Sequence, residues 1–528
     1  MKEEDGPVDY SLYLVTDSGM VPEGKTFISQ IRDAITHGAS VVQLREKNRE
    51  TKEFVELALQ VKELTKAFGV PLIINDRLDV ALAVDADGVH VGQDDMDVAV
   101  VRKYLGPNKI VGVSVNNIKE AEVAIQKDID YVGIGAVFGT LTKNLKAAPI
   151  GSSGVRDVLR VLKGSSKPIK SVAIGGINHS NIQFVRQSCQ IVDYDTGNDI
   201  SLDGVAVVSA IMSSKDAASA TKELCQLWAT PHSIVPRRID RNPIPTLADE
   251  ACSVICKIGQ ISPLVHHITN AVVKNFSANI TIAAGASPVM SECPQEFDDF
   301  SKIPNSALLV NIGMATHEGI AMFQEAIRAY NAQGKPVVFD PVGAGASTHR
   351  KNAVKTLLNT GLFSVIKGNE GEIMSVAGLQ GDMKGVDSIS RSSRNDRING
   401  AVTLATEHRT TVLMTGKTDI LASGLFPSSV LEFSTGHEYL GQITGSGCVL
   451  GSLITTCCAV LPENSFTSTA TALLLYTIAA ERAGPKANGP GTFVPVLIDA
   501  VRNLCEETRN GSTSWIREAI GHGVKVVG

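Results

Sequence analysis

The stretch Ala229–Pro245, ATPHSIVPRRIDRNPIP, divides the chain and limits what either side of it can fold into. It holds four prolines and three arginines and shows neither helical nor strand periodicity. Proline fixes φ and removes a backbone donor, so such a run favours an extended, solvated connector over a core element. With 528 residues the chain is too long for one core. The seam leaves about 230 residues before it and about 285 after it, each enough to bury a core of its own. The expected organisation is a first domain over residues 1–230, a linker at 231–243 and a second domain over 244–528. The other reading of the seam is a long surface loop within one large domain.

Composition narrows the class. Hydrophobic residues make up 43% and charged residues 20%, the balance of an ordinary soluble globular protein. Lys+Arg of 49 against Asp+Glu of 55 gives a net charge of −6 without a long block of one sign, which argues against a nucleic-acid partner. The opening MKEEDGPVDY is acidic and lacks an apolar core, so no secretory signal is read. The longest nearly apolar run, Val449–Leu461, contains Ser and Thr and is too short to span a bilayer. Nine scattered cysteines with no CxxC pair fit a reducing compartment, and Cys252, Cys256, Cys457 and Cys458 read as helix-packing residues. The expectation is a cytoplasmic protein with no membrane partner.

Before the seam, short apolar strands are read at Tyr13–Thr16, Val41–Glu46, Leu72–Asn75, Gly88–Gly92, Ile110–Ser114, Tyr131–Gly135, Ser171–Ile177 and Gly204–Ala210. They alternate with helical segments such as Lys52–Phe68 and Lys119–Lys127, a pattern that implies parallel pairing. Eight such strands in about 230 residues imply a (β/α)8 TIM barrel, whose site lies at the C-terminal ends of the strands. An open doubly wound sheet is the alternative arrangement.

Those ends are chemically loaded. Strand two runs into Gln43-Leu44-Arg45-Glu46-Lys47, strand three into Asn75-Asp76-Arg77, strand four into Gly92-Gln93-Asp94-Asp95 and strand five into Ser114. Strand six leads to Thr140-Leu141-Thr142-Lys143, strand seven to Gly175-Gly176 and strand eight to Val208-Ser209. Arg45 and Lys143 can clamp phosphate oxygens. Asp76 and Asp95, from adjacent strands, suit a Mg2+ ion that also takes diphosphate oxygens. Gly175-Gly176 and Val208-Ser209 offer backbone N–H groups where barrels often hold a phosphate. The polar stretch Gln190–Asp203 is longer than a tight connection requires; it reads as a surface insertion, or as a cover over the phosphate pocket.

QLREK, LIINDR, GVHVGQDD, GVSV, the run Thr140–Lys143, AIGGI and GVAVVSAI closely resemble thiamine-phosphate synthase, in order and over its whole length. The resemblance implies condensation of aminopyrimidinylmethyl diphosphate with hydroxyethylthiazole phosphate, giving thiamine phosphate and diphosphate. Carried over by position, Gln43, Arg45, Lys47, Asn75, Ser114 and Lys143 are expected at the pyrimidine diphosphate. Asp76 and Asp95 are expected at Mg2+, and Thr140, Thr142, Gly176, Val208 and Ser209 at the thiazole phosphate.

After the seam, a helix is read at Leu247–Gln260 and strands at Ala307–Ile312, Pro336–Asp340, Ser364–Lys367, Thr411–Thr415 and Ile420–Ser423. The pair His266-His267 has no further ligand at metal spacing nearby. Three turns suggest nucleotide phosphates: Lys367-Gly368-Asn369-Glu370-Gly371-Glu372, Thr415-Gly416, and Gly445-Ser446-Gly447-Cys448 before the apolar helix Val449–Val460. Asn369 and Glu372 lie three apart and can face a hydrated Mg2+ with Lys367 beside the phosphates. Glycines before a helix N-terminus expose N–H groups that stabilise a transferring phosphoryl group. A helix N-terminus can also lower the pKa of a thiol such as Cys448.

ITNAVVKNFSANITIAAGASPVM, FDPVGAGA, KGNEGEI, LMTG and TGSGC together resemble hydroxyethylthiazole kinase of the ribokinase-like fold, from Ile244 to Val527. That family phosphorylates the thiazole alcohol with ATP and Mg2+. By position, Asn270, Met290 and Gly445 are expected at the thiazole alcohol, Gly445 also bordering the ATP phosphates, with Lys367 and Thr415 at ATP. Glu372 and Asp340 are expected at Mg2+. Cys448 stands where most ribokinase-like enzymes carry an aspartate base, and Lys367 stands where Arg is frequent, keeping the charge but not the bidentate fork.

The two resemblances imply a bifunctional enzyme of thiamine biosynthesis, a TIM barrel followed by a ribokinase-like α/β domain. Its kinase makes the thiazole phosphate that its synthase consumes. The alternatives are one active half beside a silent one, or a thiamine-phosphate sensor. Small-molecule substrates are the expected partners, and related kinases imply a homo-oligomer built on trimers.

Overall fold

The computed structural model describes residues 7–139, 148–193, 196, 198–230, 242–313, 315–379, 383–384, 387–388, 392–425 and 429–527. The chain divides into two compact units, residues 1–231 and 232–528. The connector residues 231–241 lie outside the described residues, as do Thr140, Thr142 and Lys143.

The first unit is a closed barrel of eight parallel strands: β1 (Leu12–Val15), β2 (Val41–Leu44), β3 (Leu72–Asn75), β4 (Gly88–Val91), β5 (Ile110–Val115), β6 (Tyr131–Gly135), β7 (Lys170–Ile174) and β8 (Gly204–Val207). Neighbours pair in chain order, and β8 closes on β1 through Leu12 beside Val205. Period-two alternation sorts the strand side chains into two layers. Tyr13, Val15, Val41, Ile73, Tyr131, Val172 and Ala206 fill the barrel interior. Leu12, Leu14, Val42, Leu44, Leu72 and Ile74 face outward and pack under the surrounding helices. Thr26, Asp97, Asn117 and Asp216 cap the starts of four of the surrounding helices, and Thr26 makes a reciprocal cap with Ser29.

Within the insertion, Ile191–Val192 pairs antiparallel with Asp199–Ile200. Asp193 accepts from Lys163 Nζ at 2.6 Å, at the last residue of the helix Gly151–Lys163. That helix runs antiparallel to the strands, so the insertion lies at the barrel's N-terminal face. Its described residues do not cover the strand C-termini where the phosphate pocket was expected, which corrects the second of the two readings above.

The second unit is built on a nine-stranded sheet. Its strands are β9 (Leu264–Ile268), β10 (Ser287–Val289), β11 (Ser306–Asn311), β12 (Val337–Asp340), β13 (Val365–Asn369), β14 (Thr411–Thr415), β15 (Asp419–Ser423), β16 (Val430–Phe433) and β17 (Val524–Val526). The order is β10-β9-β11-β12-β13-β14-β15-β16-β17. Pairing is parallel as far as β14 and antiparallel beyond it. Two apolar layers cover the two faces. The helix Ser446–Val460 is buried at every position from Val449 onward, because it lies between the sheet and outer helices and has no solvent face.

Four of these nine strands are absent from the sequence expectation: β9, β10, β16 and β17. Strand β9 carries His266 and His267, whose polar letters mask a strand buried from Val265 to Ile268. His266 is hydrogen-bonded to Tyr330 Oη and the Ser291 carbonyl, and His267 to the Val265 carbonyl. Burial pushes the His267 pKa down to about 4, so both histidines serve the core as neutral rings. Among the described residues no helix is long and apolar enough to cross a membrane.

Candidate active sites

The strand C-termini of the barrel open into a cavity of about 150 Å³. Gln43, Arg45, Asn75, Ser114, Gly176, Val208 and Ser209 all line it. A ladder of hydrogen-bonded side chains crosses its floor. Gln43 Nε2 donates to Tyr13 Oη at 2.9 Å, and Tyr13 Oη lies 2.7 Å from Tyr131 Oη. His90 joins Tyr131 Oη through Nδ1 and Ser114 Oγ through Nε2, each at 2.9 Å. Burial raises both tyrosines above their ordinary pKa, so they stay uncharged and present directed donors and acceptors.

Arg45 brings one charge to the cavity wall, and a carboxylate pair lies beside it. Asp76 and Asp95 are hydrogen-bonded to each other, and Lys47 Nζ stands 3.8 Å from Asp76 Oδ2. Burial and the Asp95 carboxylate push Asp76 up to about 6. Against the burial that would raise it, the hydrogen bonds from Asp76 and the Gly92 N–H hold Asp95 below the ordinary carboxylate range. Two carboxylates in such contact repel each other once both are ionised, a cost that a divalent cation between them would offset. Among the described residues no group of three or more His, Cys, Asp or Glu is placed to hold a metal, so water and phosphate oxygens would complete the shell. Gly175 and Gly176 adopt φ of +107° and +68°, and a Cβ on Gly176 would lie 2.6 Å from the Gly139 carbonyl; the N–H turn there requires glycine.

The second unit gathers its charge in the interior. Lys367 Nζ donates to Asp340 Oδ2 at 3.0 Å, and both side chains are almost fully buried. Burial would lower Lys367, but Asp340, Cys448 and Glu372 hold it above its ordinary value and therefore charged. Asp340 Oδ1 is buried with no hydrogen-bond partner. Glu372 accepts the Gly343 and Asn369 N–H groups, each at 2.8 Å, while Asn369 caps the same helix in return. Burial and Asp340 push Glu372 up to about 7. Asn270 Nδ2 lies 3.8 Å from Cys448 Sγ. Gly445, at φ +82°, begins the helix that carries Cys448, and a Cβ there would strike Val273 at 2.3 Å.

With this geometry in view, likeness to known proteins is informative. Residues 12–211 match the thiamine monophosphate synthase family and residues 255–507 the hydroxyethylthiazole kinase family. The chain is 43% identical to the "Probable thiamine biosynthetic bifunctional enzyme" of Schizosaccharomyces pombe, over 97% of this chain and 98% of that one. It is 42% identical to the "Thiamine biosynthetic bifunctional enzyme" of Saccharomyces cerevisiae, over 96% and 97%. The barrel alone is 47% identical to the thiamine-phosphate synthase of Chloroflexus aurantiacus, over 41% of this chain and 92% of that one. The chain belongs to the bifunctional thiamine biosynthetic enzymes. It therefore carries a thiamine-phosphate synthase domain and a hydroxyethylthiazole kinase domain, and the kinase implies ATP as phosphoryl donor.

Of the residues marked from sequence, those at the described strand ends of the synthase domain converge on its cavity or its rim. In the kinase domain, Asn270, Asp340, Lys367, Glu372 and Cys448 form one connected group. Thr415 ends β14, with Oγ1 donating to the Gly368 carbonyl at 3.3 Å, and Met290 follows β10 half-buried; both stand outside that group. The helix N-terminus does not prevail at Cys448. Burial and the Asp340 charge push its thiol up to about 11, against the depression expected from the helix dipole. Sequence reasoning passed over Tyr13, His90, Tyr131 and Asn116 in the synthase cavity and Asn311 in the kinase. The available signal was a polar or aromatic residue at an inward position of an otherwise apolar strand, as in Gly88-Val89-His90-Val91.

Proposed function

We propose that the barrel joins aminopyrimidinylmethyl diphosphate to hydroxyethylthiazole phosphate, and that the second domain makes that thiazole phosphate from the alcohol and ATP. The observation that carries the synthase half is the contacting carboxylate pair Asp76–Asp95 beside a hydrogen-bonding cavity that Arg45 also lines. Departure of diphosphate leaves a pyrimidinylmethyl cation stabilised by its own amino group, which the thiazole nitrogen captures. A protein need only neutralise the leaving group and align the partners. Gln43, Asn75 and Ser114 would hold the pyrimidine, Arg45, Lys47 and Lys143 its diphosphate, and Thr140, Thr142, Gly176, Val208 and Ser209 the thiazole phosphate. Mg2+ held by Asp76 and Asp95 would supply charge neutralisation for the diphosphate.

In the kinase, Asn270, Met290 and Gly445 would border the alcohol, with Lys367 and Thr415 toward ATP and with Asp340 and Glu372 toward a second Mg2+. The bare, buried Asp340 Oδ1 supports a cationic partner there, since an unpaired buried carboxylate oxygen is costly. Cys448 would sit beside the attacking hydroxyl, its protonated thiol serving to orient that group more than to deprotonate it. The linker at residues 231–243 would leave each domain to work alone, in a cytoplasmic homo-oligomer built on kinase trimers.

The test supplies thiazole alcohol, ATP, Mg2+ and pyrimidine diphosphate to the whole chain and follows thiamine phosphate. Formation that requires all four components is expected. Thiazole phosphate accumulating without thiamine phosphate would overturn the synthase half, and product formed only from preformed thiazole phosphate would overturn the kinase half.

A further inference from the structure

Asn311 is the last residue of β11 and is 1% exposed. Its Nδ2 donates to Asp340 Oδ2 at 2.9 Å. Its Oδ1 accepts from Asn270 Nδ2 and from the Gly313 N–H, each at 3.1 Å. This pattern admits one amide orientation. A flipped amide would set its oxygen against a carboxylate and its NH2 against two donors. The same side chain lies within hydrogen-bonding reach of the Cys448 thiol. Asp340 Oδ2 thus receives both Asn311 and Lys367, which fixes the carboxylate plane and leaves Oδ1 as its one unpaired oxygen. Asn270, held on its other side by donation from the Val272 N–H to its Oδ1 at 3.1 Å, has its NH2 aimed by Asn311.

We propose that Asn311 is a positioning residue of the kinase reaction: a single buried amide that holds the alcohol-side Asn270 and the phosphoryl-side Asp340 in one mutual geometry. The proposal rests on the reading of Asn270 as a residue of the thiazole-alcohol pocket. Its physical basis is alignment. Bringing a hydroxyl oxygen in line with a phosphoryl group depends on fixed near-attack geometry, and a misplacement of about 1 Å can cost about 10²-fold in rate. Asn311 touches neither reacting group, so its effect passes through the residues it contacts, Asn270, Asp340 and the Cys448 thiol.

The experiment measures kinase kinetics of the full chain with ATP and the thiazole alcohol for N311A, N311D, N270A and N270A/N311A. N311A is expected to lower kcat/KM for the alcohol by about 10²-fold, with KM for ATP within a factor of about three of wild type. N311D keeps an acceptor toward Asn270 and Gly313 but sets a carboxylate against Asp340. It should hold KM for the alcohol near wild type while kcat falls, a split that loss of packing would not produce. The double variant should be no worse than N311A within a factor of about three, because both substitutions break one linkage. A double-variant loss equal to the product of the single losses would overturn the proposal, as would N311D and N311A raising the alcohol KM alike. If N270A leaves kcat/KM for the alcohol unchanged, the pocket reading itself fails and the inference falls with it. An impaired N270A with an additive cycle removes only the role of Asn311.

Discussion

The two domains handle charge in opposite ways. The synthase cavity is floored by the hydrogen-bonded ladder Gln43–Tyr13–Tyr131–His90–Ser114, with Arg45 on its wall and its carboxylate pair and Lys47 set beside it. The kinase centre buries Lys367, Asp340 and Glu372 together and presses Cys448 against them. The difference follows the chemistry each must perform. A pyrimidine is recognised by directed neutral hydrogen bonds, and the charge that needs handling leaves with the diphosphate. Phosphoryl transfer spreads charge over equatorial oxygens, and fixed buried charges and dipoles act most strongly there, where water cannot reorganise against them.

The comparison breaks first at the synthase carboxylates. Asp76→Ala or Asp95→Ala should lower thiamine-phosphate formation from preformed thiazole phosphate by about 10³-fold or more, while kinase turnover in the same chain stays at the wild-type rate. Near-normal synthesis at limiting Mg2+ in both variants would remove the pair from the mechanism. At Cys448 the expected loss is smaller. A thiol pushed up to about 11 is almost wholly protonated at neutral pH, so Cys448→Ala should lower kinase kcat by roughly 10²-fold, the low end of general-base loss. Cys448→Asp should retain more activity than Ala, since a carboxylate can take the alcohol proton. An Ala variant within a factor of about three of wild type would show that the thiol only packs.

Separating the domains sharpens the comparison further. Cleavage or separate expression between Pro236 and Asn242 should give two fragments that each keep their own reaction, within a factor of about three, because few core contacts cross a Pro/Arg-rich connector. If neither fragment folds despite good expression, the domains are not independent. A mixture much slower than the intact chain would instead mean that thiazole phosphate passes directly between them.

The smallest effect is a stability difference confined to the kinase. Asp419 is fully buried; burial outweighs the Gly416 N–H bond and pushes it up to about 7. A raised folded-state pKa on an acid means that the native state holds the proton more tightly than the unfolded chain, whose Asp titrates near 4. Its contribution is full below pH 4 and is lost as pH rises through 7. The kinase transition should therefore fall by a few degrees between pH 5 and pH 8 through this group, and Asp419→Asn, which keeps the acceptor for Gly416, should flatten that slope. An unchanged slope in the Asn variant would show that Asp419 is charged in the fold.

Much of this architecture was legible in the linear sequence. Strands β3, β6 and β14 have the boundaries that apolar runs and turn residues mark, and all eight barrel strands were countable, because alternation and turn chemistry act over a few neighbouring residues. The strand-end residues expected to share one mouth do so, with Gln43, Arg45, Asn75, Ser114 and Ser209 lining a single cavity, and the kinship of both halves was readable from their motifs. Only the tertiary structure decided what those groups face. His90 meets Tyr131 across 41 residues of chain, and Asn311 meets Asp340 across 29. Strand β9 is hidden from periodicity because buried neutral histidines carry it. Cys448 shows the same limit at one residue: its place at a helix start is local and favours the thiolate, whereas its burial beside Asp340 comes from strands far away in the chain. Desolvation and that distant carboxylate outweigh the helix dipole, so the sign of the shift belonged to the fold.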